Sequence, residues 1–268
     1  MAEEHELKRL IEEAEASGGA VGVAIDSTSG WTFQHRGDRR FRAASTVKIP
    51  IMIEIFRRVD QGEIALTDRY VVERHDHSVG SGVLHELHAG LAVTIQDLLY
   101  LMMSISDNTA TNILIDMAGM KNVNATMREL GMEQSTLGRK MQGKPAEGEQ
   151  HENWATAAEY ASLVGKLLGN QVASPDACAQ MLAILEKQQN TRRIGRYMPQ
   201  DGLRWGSKTG SILGVTNDVG FATSEAGMVI ISVFCEDLPD MHVSEKLIGD
   251  VARQAVIGAG IATPLFTS

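Results

Sequence analysis

The chain has 268 residues, 43% hydrophobic and 22% charged, a globular composition sufficient for one large domain or two lobes. Its net charge of −9 at pH 7, with no basic tract, argues against nucleic acid and against an anionic membrane surface as partners. No apolar run reaches the roughly 18 residues of a membrane span, and two cysteines, Cys178 and Cys235, make no disulfide framework.

Residues 1–17 are charged, with Leu7, Leu10, Ile11 and Ala14 at helical spacing. They hold no apolar core of a signal peptide, so the expected location is cytoplasmic, or periplasmic or secreted if a leader has been removed. Residues 21–26 and 31–35 pattern as strands, joined by the hairpin signal Ser27-Thr28-Ser29-Gly30. Arg36, Arg39, Arg40 and Arg42 read as a solvated strand edge. Val47, Ile51, Ile55 and Val59 then recur every four residues and predict a helix ending at Gly62. Thr94-Ile95-Gln96-Asp97 is a capping box opening a helix to about Ile105. Further helices are predicted over 109–117, 122–130, 156–168 and 175–189, interrupted by a polar loop at 142–153. Strand patterns return at 203–208, 218–222 and 228–235, where Cys235 is expected to be a buried thiol. A last helix covers about 244–257.

Strands at both chain ends with helices between them predict an α+β fold. An antiparallel sheet from residues 1–44 and 190–268, flanked by the terminal helices, would carry an inserted all-helical lobe at 45–189.

Three short motifs point to chemistry: Ser45-Thr46-Val47-Lys48, Ser106-Asp107-Asn108 and Lys208-Thr209-Gly210, their first residues 61 and 102 positions apart. A Ser-x-x-Lys alone is weak, since a chain of this length holds on the order of one by chance. The two exact tripeptides, in this order, make the trio specific. A serine hydroxyl is a poor nucleophile without a base beside it. Lys48, one helical turn on, lies on the same face as Ser45. It must be neutral for part of the cycle, and burial with a second cation nearby, Lys208, would lower its pKa in that direction. Gly206-Ser207-Lys208-Thr209 looks like the end of a phosphate-binding loop, but Ser207 replaces the required glycine.

The trio and its spacing resemble the class A β-lactamases and, more broadly, the penicillin-binding proteins. The resemblance runs from about Gly19 to the chain end and includes Gly80-Ser81-Gly82-Val83-Leu84. It implies a two-lobed fold with the site in the cleft between the lobes. It also implies an acyl-Ser45 intermediate, with Lys48 and Ser106 as the other catalytic residues and Ser106 protonating the departing nitrogen. Asn108 would bind the acylamino carbonyl and touch Lys48, while Asp107 would be buried and structural. Lys208 and Thr209 would hold a carboxylate, and Gly210 would admit the substrate close to the backbone. The N–H groups of Ser45 and Ser211 would form the oxyanion hole.

Two departures stand out. The family's Glu-x-x-Leu-Asn loop, whose glutamate activates the deacylating water, has no counterpart after Leu137-Gly138-Arg139-Lys140-Met141. Glu147, Glu149 and Glu152 are the candidates for that base, if the chain has one. The arginine often found shortly after Lys-Thr-Gly is also missing, since the region reads Thr216-Asn217-Asp218. His75, His77, His85 and His88 lack zinc-protease spacing, so neither metal nor cofactor is expected. The sequence therefore predicts a monomeric serine hydrolase opening β-lactams. A D-peptidase or esterase with weak β-lactam turnover, and a non-catalytic β-lactam sensor, are the alternatives.

Overall fold

The computed structural model describes residues 2–16, 18–148, 151–199 and 201–261. Its centre is an antiparallel five-stranded sheet in the order β2-β1-β9-β8-β7. The strands are β1 (Ala20–Ser27), β2 (Phe33–His35), β7 (Arg204–Ile212), β8 (Val215–Ser224) and β9 (Gly227–Glu236). Helices α1 (Ala2–Glu15) and α8 (Met241–Gly258) lie together on one face, and α6 (Ala157–Leu168) lies on the other.

The β9 sequence explains its place. Val229, Ile231, Val233 and Cys235 join the core under α1 and α8, and Ile230 and Phe234 join the core on the α6 side. A strand covered on both faces reads as a continuous apolar run, and it sits in the middle of the sheet. Cys235 is a free, buried thiol, as its run implied.

The second mass of the molecule is helical. It comprises α2 (Lys48–Asp60), α3 (Ile95–Ser104), α4 (Asn108–Ala118), α5 (Met120–Glu129) and α7 (Pro175–Leu185). The α2 helix is its axis: Ile49 to Phe56 are all buried, and α3, α4, α5 and α7 pack around it. The stretch 45–189 is not purely helical, as the sequence had implied. It contains β4 (Arg69–Val72) paired with β5 (Leu91–Thr94), and β6 (Trp154–Ala155) paired with β3 (Phe41–Arg42). It also contributes α6, which packs on the sheet.

The strand expected at 203–208 runs on to Ile212, through Lys-Thr-Gly. Alternation failed there because Ser207, Lys208 and Thr209 are all buried despite being polar. The arginines at 36–42 are more engaged than a solvated edge would require. Arg42 pairs with Glu236 and Asp237, Arg36 pairs with Glu15, and Arg40 lies over the Trp154 ring.

Two glycines test how tightly the sheet is packed. A Cβ at Gly220 on β8 would land on the Gly206 carbonyl oxygen, a backbone atom that cannot yield. At Gly165 on α6 it would meet only the tip of Ile230, at 3.1 Å. Gly220→Ala is expected to cost at least about 1–3 kcal/mol. Gly165→Ala is expected to be neutral or to gain up to about 1 kcal/mol from helix propensity. Urea midpoints for the two variants measure this, and equal shifts would contradict it.

Candidate active site

Ser45 lies in one turn of 3₁₀ helix, Ala44–Val47, that leads directly into α2. The turn packs against the edge strand β7. The closest approach is at Gly210, where an added Cβ would sit 2.9 Å from the Ala43 carbonyl oxygen and 3.1 Å from the Ser45 nitrogen. The glycine of Lys-Thr-Gly therefore has a structural reason that the sequence did not reveal: it lets β7 close on the nucleophile's own turn.

Ser106 lies in the link between α3 and α4 with φ +61°, and Ala44, beside the nucleophile, has φ +47°. Non-glycine residues in this region cost on the order of 1–3 kcal/mol each and persist only where the surroundings impose them. Here the surroundings are visible. The Asn108 N–H donates to the Ser81 carbonyl at 2.9 Å. Asp107 is buried; its Oδ1 caps α4 through the Ala110 N–H (2.9 Å), and its Oδ2 accepts from the N–H groups of Val83 (2.6 Å) and Leu84 (2.9 Å). Ser-Asp-Asn is thus a helix cap as well as a site motif, and Asp107 has the buried, backbone-bound position expected of it. Gly82 (φ +114°) packs directly on Asp107, which explains a glycine in Gly80-Ser81-Gly82.

Lys48 is buried beneath Ser106 and Asn108. Its Nζ lies 2.8 Å from the Ser106 carbonyl oxygen, 2.9 Å from Ser106 Oγ and 3.0 Å from Asn108 Oδ1. Two of these three partners can only accept, whereas a hydroxyl can donate or accept. A neutral amine therefore fits as well as an ammonium: two N–H bonds go out and its lone pair accepts from Ser106. Burial holds the Lys48 pKa well below the ordinary lysine value, the Lys208 charge lowers it further, and Asp107 opposes both. Lys208, also fully buried, donates to the Thr209 carbonyl at 2.9 Å. Burial lowers it to about 7; Arg193 acts in the same direction and Asp218 against it.

A cleft of about 500 Å³ opens over these groups, lined by Ser45, Ser106, Thr209 and Ser211. A second pocket of about 80 Å³ adjoins Ser45, Asn108 and Ser211. The eight residues singled out from sequence thus converge. Ser45, Ser106, Thr209, Ser211 and Asn108 line the two pockets, Lys48 and Lys208 lie buried beneath them, and Gly210 abuts Ser45. A larger groove of about 990 Å³, between α1, the β1–β2 hairpin and α6, holds none of them.

The match to the family model described as "Beta-lactamase enzyme family" spans residues 3–257. The chain belongs to the β-lactamase enzyme family. A β-lactamase from Rhodobacter capsulatus is 30% identical over 249 residues, 90% of this chain and 84% of that protein. The crystal structure of a β-lactamase from Sphaerobacter thermophilus shares 55% identity with a TM-score of 0.93, covering 96% of this chain and 98% of that one. An ancestral class A β-lactamase shares 28% identity with a TM-score of 0.86, covering 95% and 99%.

Against that family the structure adds one residue that sequence reading missed. Arg193, buried behind β7, donates to the carbonyls of Gly210 (3.0 Å) and Asn217 (2.8 Å) and to Ser211 Oγ (2.6 Å). This arginine comes from the segment ahead of β7, and no spacing in the string marks it.

The loop that would carry a deacylating base is equally informative. The Asn112 side chain grips Met141 on both sides, accepting from its N–H (2.8 Å) and donating to its carbonyl (3.0 Å). Met141 and Gln142 line the small pocket beside Ser45. The carboxylate among that pocket's described lining residues is Glu152, and it is committed elsewhere: it pairs with Arg139 at 3.0 Å and accepts from the N–H groups of Ala146 and Asn153. Glu147 is 90% exposed and paired with Lys144. Glu149 lies outside the described residues.

Gly210→Ala is expected to push β7 off the Ser45 turn. Acylation should slow by about 10²-fold or more, as for loss of one oxyanion donor, with little change in thermal midpoint. Stopped-flow acylation beside a melting curve measures both, and a near-normal rate would count against the close approach.

Proposed function

We propose that this protein is a serine hydrolase that opens β-lactams through an acyl-Ser45 intermediate. The observation that carries the reading is a buried lysine, Lys48, bonded to Ser106 and Asn108 immediately behind Ser45. Ser45 Oγ attacks the lactam carbonyl carbon. The Ser106 hydroxyl turns from Lys48 to the ring nitrogen, and the freed Lys48 lone pair takes the Ser45 proton. As the C–N bond breaks, Ser106 gives its proton to the nitrogen and regains one from the Lys48 ammonium. Charge developing on the carbonyl oxygen is met by the N–H groups of Ser45 and Ser211. Asn108 Nδ2 spends one hydrogen on the Val79 carbonyl (3.0 Å), leaving the other for the acylamino group. Lys208 and Thr209 take the carboxylate. One chain supplies every group, without a cofactor, and we read the working unit as a monomer.

The deciding experiment follows penicillin ring opening by absorbance while intact mass is recorded. Turnover with a transient adduct on Ser45 is expected, and Ser45→Ala should abolish both. Full activity in that variant would overturn the mechanism.

A D-peptidase or esterase with weak β-lactam turnover is the second reading. The wall of Met141 and Gln142 favours it, because among the described residues the carboxylate lining that pocket, Glu152, is committed to Arg139 and to loop N–H groups. Under this second reading the acyl-enzyme should be long-lived. Met141→Glu would place a carboxylate on a position that is 7% exposed and gripped by Asn112. Burial would raise its pKa towards that of a working base. The adduct lifetime should fall by about 10²-fold, within the range of general-base assistance. Unchanged decay would mean that the water is activated elsewhere.

The lysines also set a pH signature. Lys208 binds a carboxylate only as a cation, and its pKa is about 7. Its charge is present below that value and lost above it, so KM for penicillin should rise by up to about tenfold per unit above pH 7. Lys208→Arg should flatten the rise, since a guanidinium keeps its charge. A KM that stays flat from pH 6 to 9 in the unmodified protein would refute the assignment.

A further inference from the structure

The 500 Å³ cleft extends well beyond Ser45. Its wall includes the segment just after α7, with Gln189, Asn190, Thr191 and Arg192 all lining it, and the Gln189 N–H donates to the carbonyl of Ser104 (3.1 Å), close to Ser106. That side has a chemical identity under the reading above. Ser106 delivers a proton to the departing nitrogen, so whatever is attached to that nitrogen must lie there.

Arg192 is the charged group on this wall. Its side chain is 65% exposed, with Nε 3.5 Å from Glu245 Oε2, beyond a good hydrogen bond. Glu245 is buried on α8 and also faces Arg193, at 3.4 Å. One buried carboxylate therefore answers two guanidiniums. Arg193 is committed to Gly210, Asn217 and Ser211, whereas Arg192 lines the cleft with a side chain that is mostly exposed. Its backbone is fixed as well: the Arg192 N–H donates to Asn190 Oδ1 (3.1 Å), and the Asn190 N–H donates to Gln188 Oε1 (3.0 Å). Gln188 in turn donates to the carbonyls of Met103 (3.4 Å) and Ser207 (3.2 Å) and ties this wall to the residues just ahead of both site motifs. The cation is thus mounted on a braced segment, its side chain largely exposed and only loosely held by a carboxylate that it shares with Arg193.

We propose that Arg192 forms an anion-selective subsite for the leaving half of the substrate, separate from the carboxylate site at Lys208 and Thr209. Its ligand is a second acidic substituent, carboxylate or sulfonate, on the part of the molecule attached to the departing nitrogen. This proposal rests on the acyl-Ser45 reading. It makes Arg192 a determinant of specificity, outside the proton-transfer steps.

The test uses two β-lactams with the same acylamino group, one carrying a neutral leaving-side substituent and one an additional carboxylate there. An exposed charge pair is worth up to about fivefold in affinity. Arg192→Ala should raise KM for the dianionic compound by about that factor, leave its kcat unchanged, and leave the neutral compound within error. Arg192→Glu should widen the gap, Arg192→Lys should restore most of it, and added salt should narrow it in the unmodified protein. Equal losses on both compounds, or none on either, would overturn the subsite. Equilibrium binding of the same pair to Ser45→Gly, which cannot be acylated, reads the subsite independently of turnover. A binding preference there without turnover in the parent would sink the hydrolase reading alone, and turnover without the preference would sink the subsite alone.

Discussion

Everything at this site depends on the burial of Lys48. An ammonium taken out of water is costly unless it is fully bonded, and a neutral amine is not. The three oxygen partners of Lys48 suit both forms, because one is a hydroxyl that can reverse its direction. The fold thereby holds, one turn along from Ser45, a buried lysine that can do without its charge. Two costs elsewhere support this arrangement: the left-handed backbone at Ser106, and the full burial of Asp107 to brace the turn from below.

A second layer of charge stands behind the strand that carries Lys208. Lys208, Arg193, Asp218 and Glu245 are all buried around β7 and β8. Burial alone would discharge Lys208, and Asp218 restores part of its preference for the proton. Arg193 works against Lys208 electrostatically yet holds the strand's carbonyls and the Ser211 hydroxyl in place. The Lys-Thr-Gly edge is thus a compromise between geometry and charge, with Lys208 poised near neutrality.

The loop beside Ser45 is held by its backbone and by one buried carboxylate. The clamp from Asn112 fixes the loop backbone at Met141, whichever side chain that residue bears. The nearby glutamate serves Arg139 and the loop's own N–H groups, which makes it a fastener for the loop.

The string of residues determined the element types, the antiparallel sheet built from both chain ends, and the serine–lysine chemistry. Periodicity and local motifs are written in neighbouring positions, and Ser45, Ser106 and Lys208 each carry a signature of their own. Tertiary structure alone decided what depends on contact between distant segments. It carried β7 on past Lys-Thr-Gly to Ile212, although buried polar residues hide the alternation. It brought Arg193 to Ser211 from a segment without a motif, and it placed Met141 where a base was sought. A proton's preference is of the same kind. Lys48 and Lys208 are ordinary lysines in sequence, and only the removal of water and the charges brought near them, Lys208 beside Lys48 and Asp218 and Arg193 beside Lys208, change what they can do.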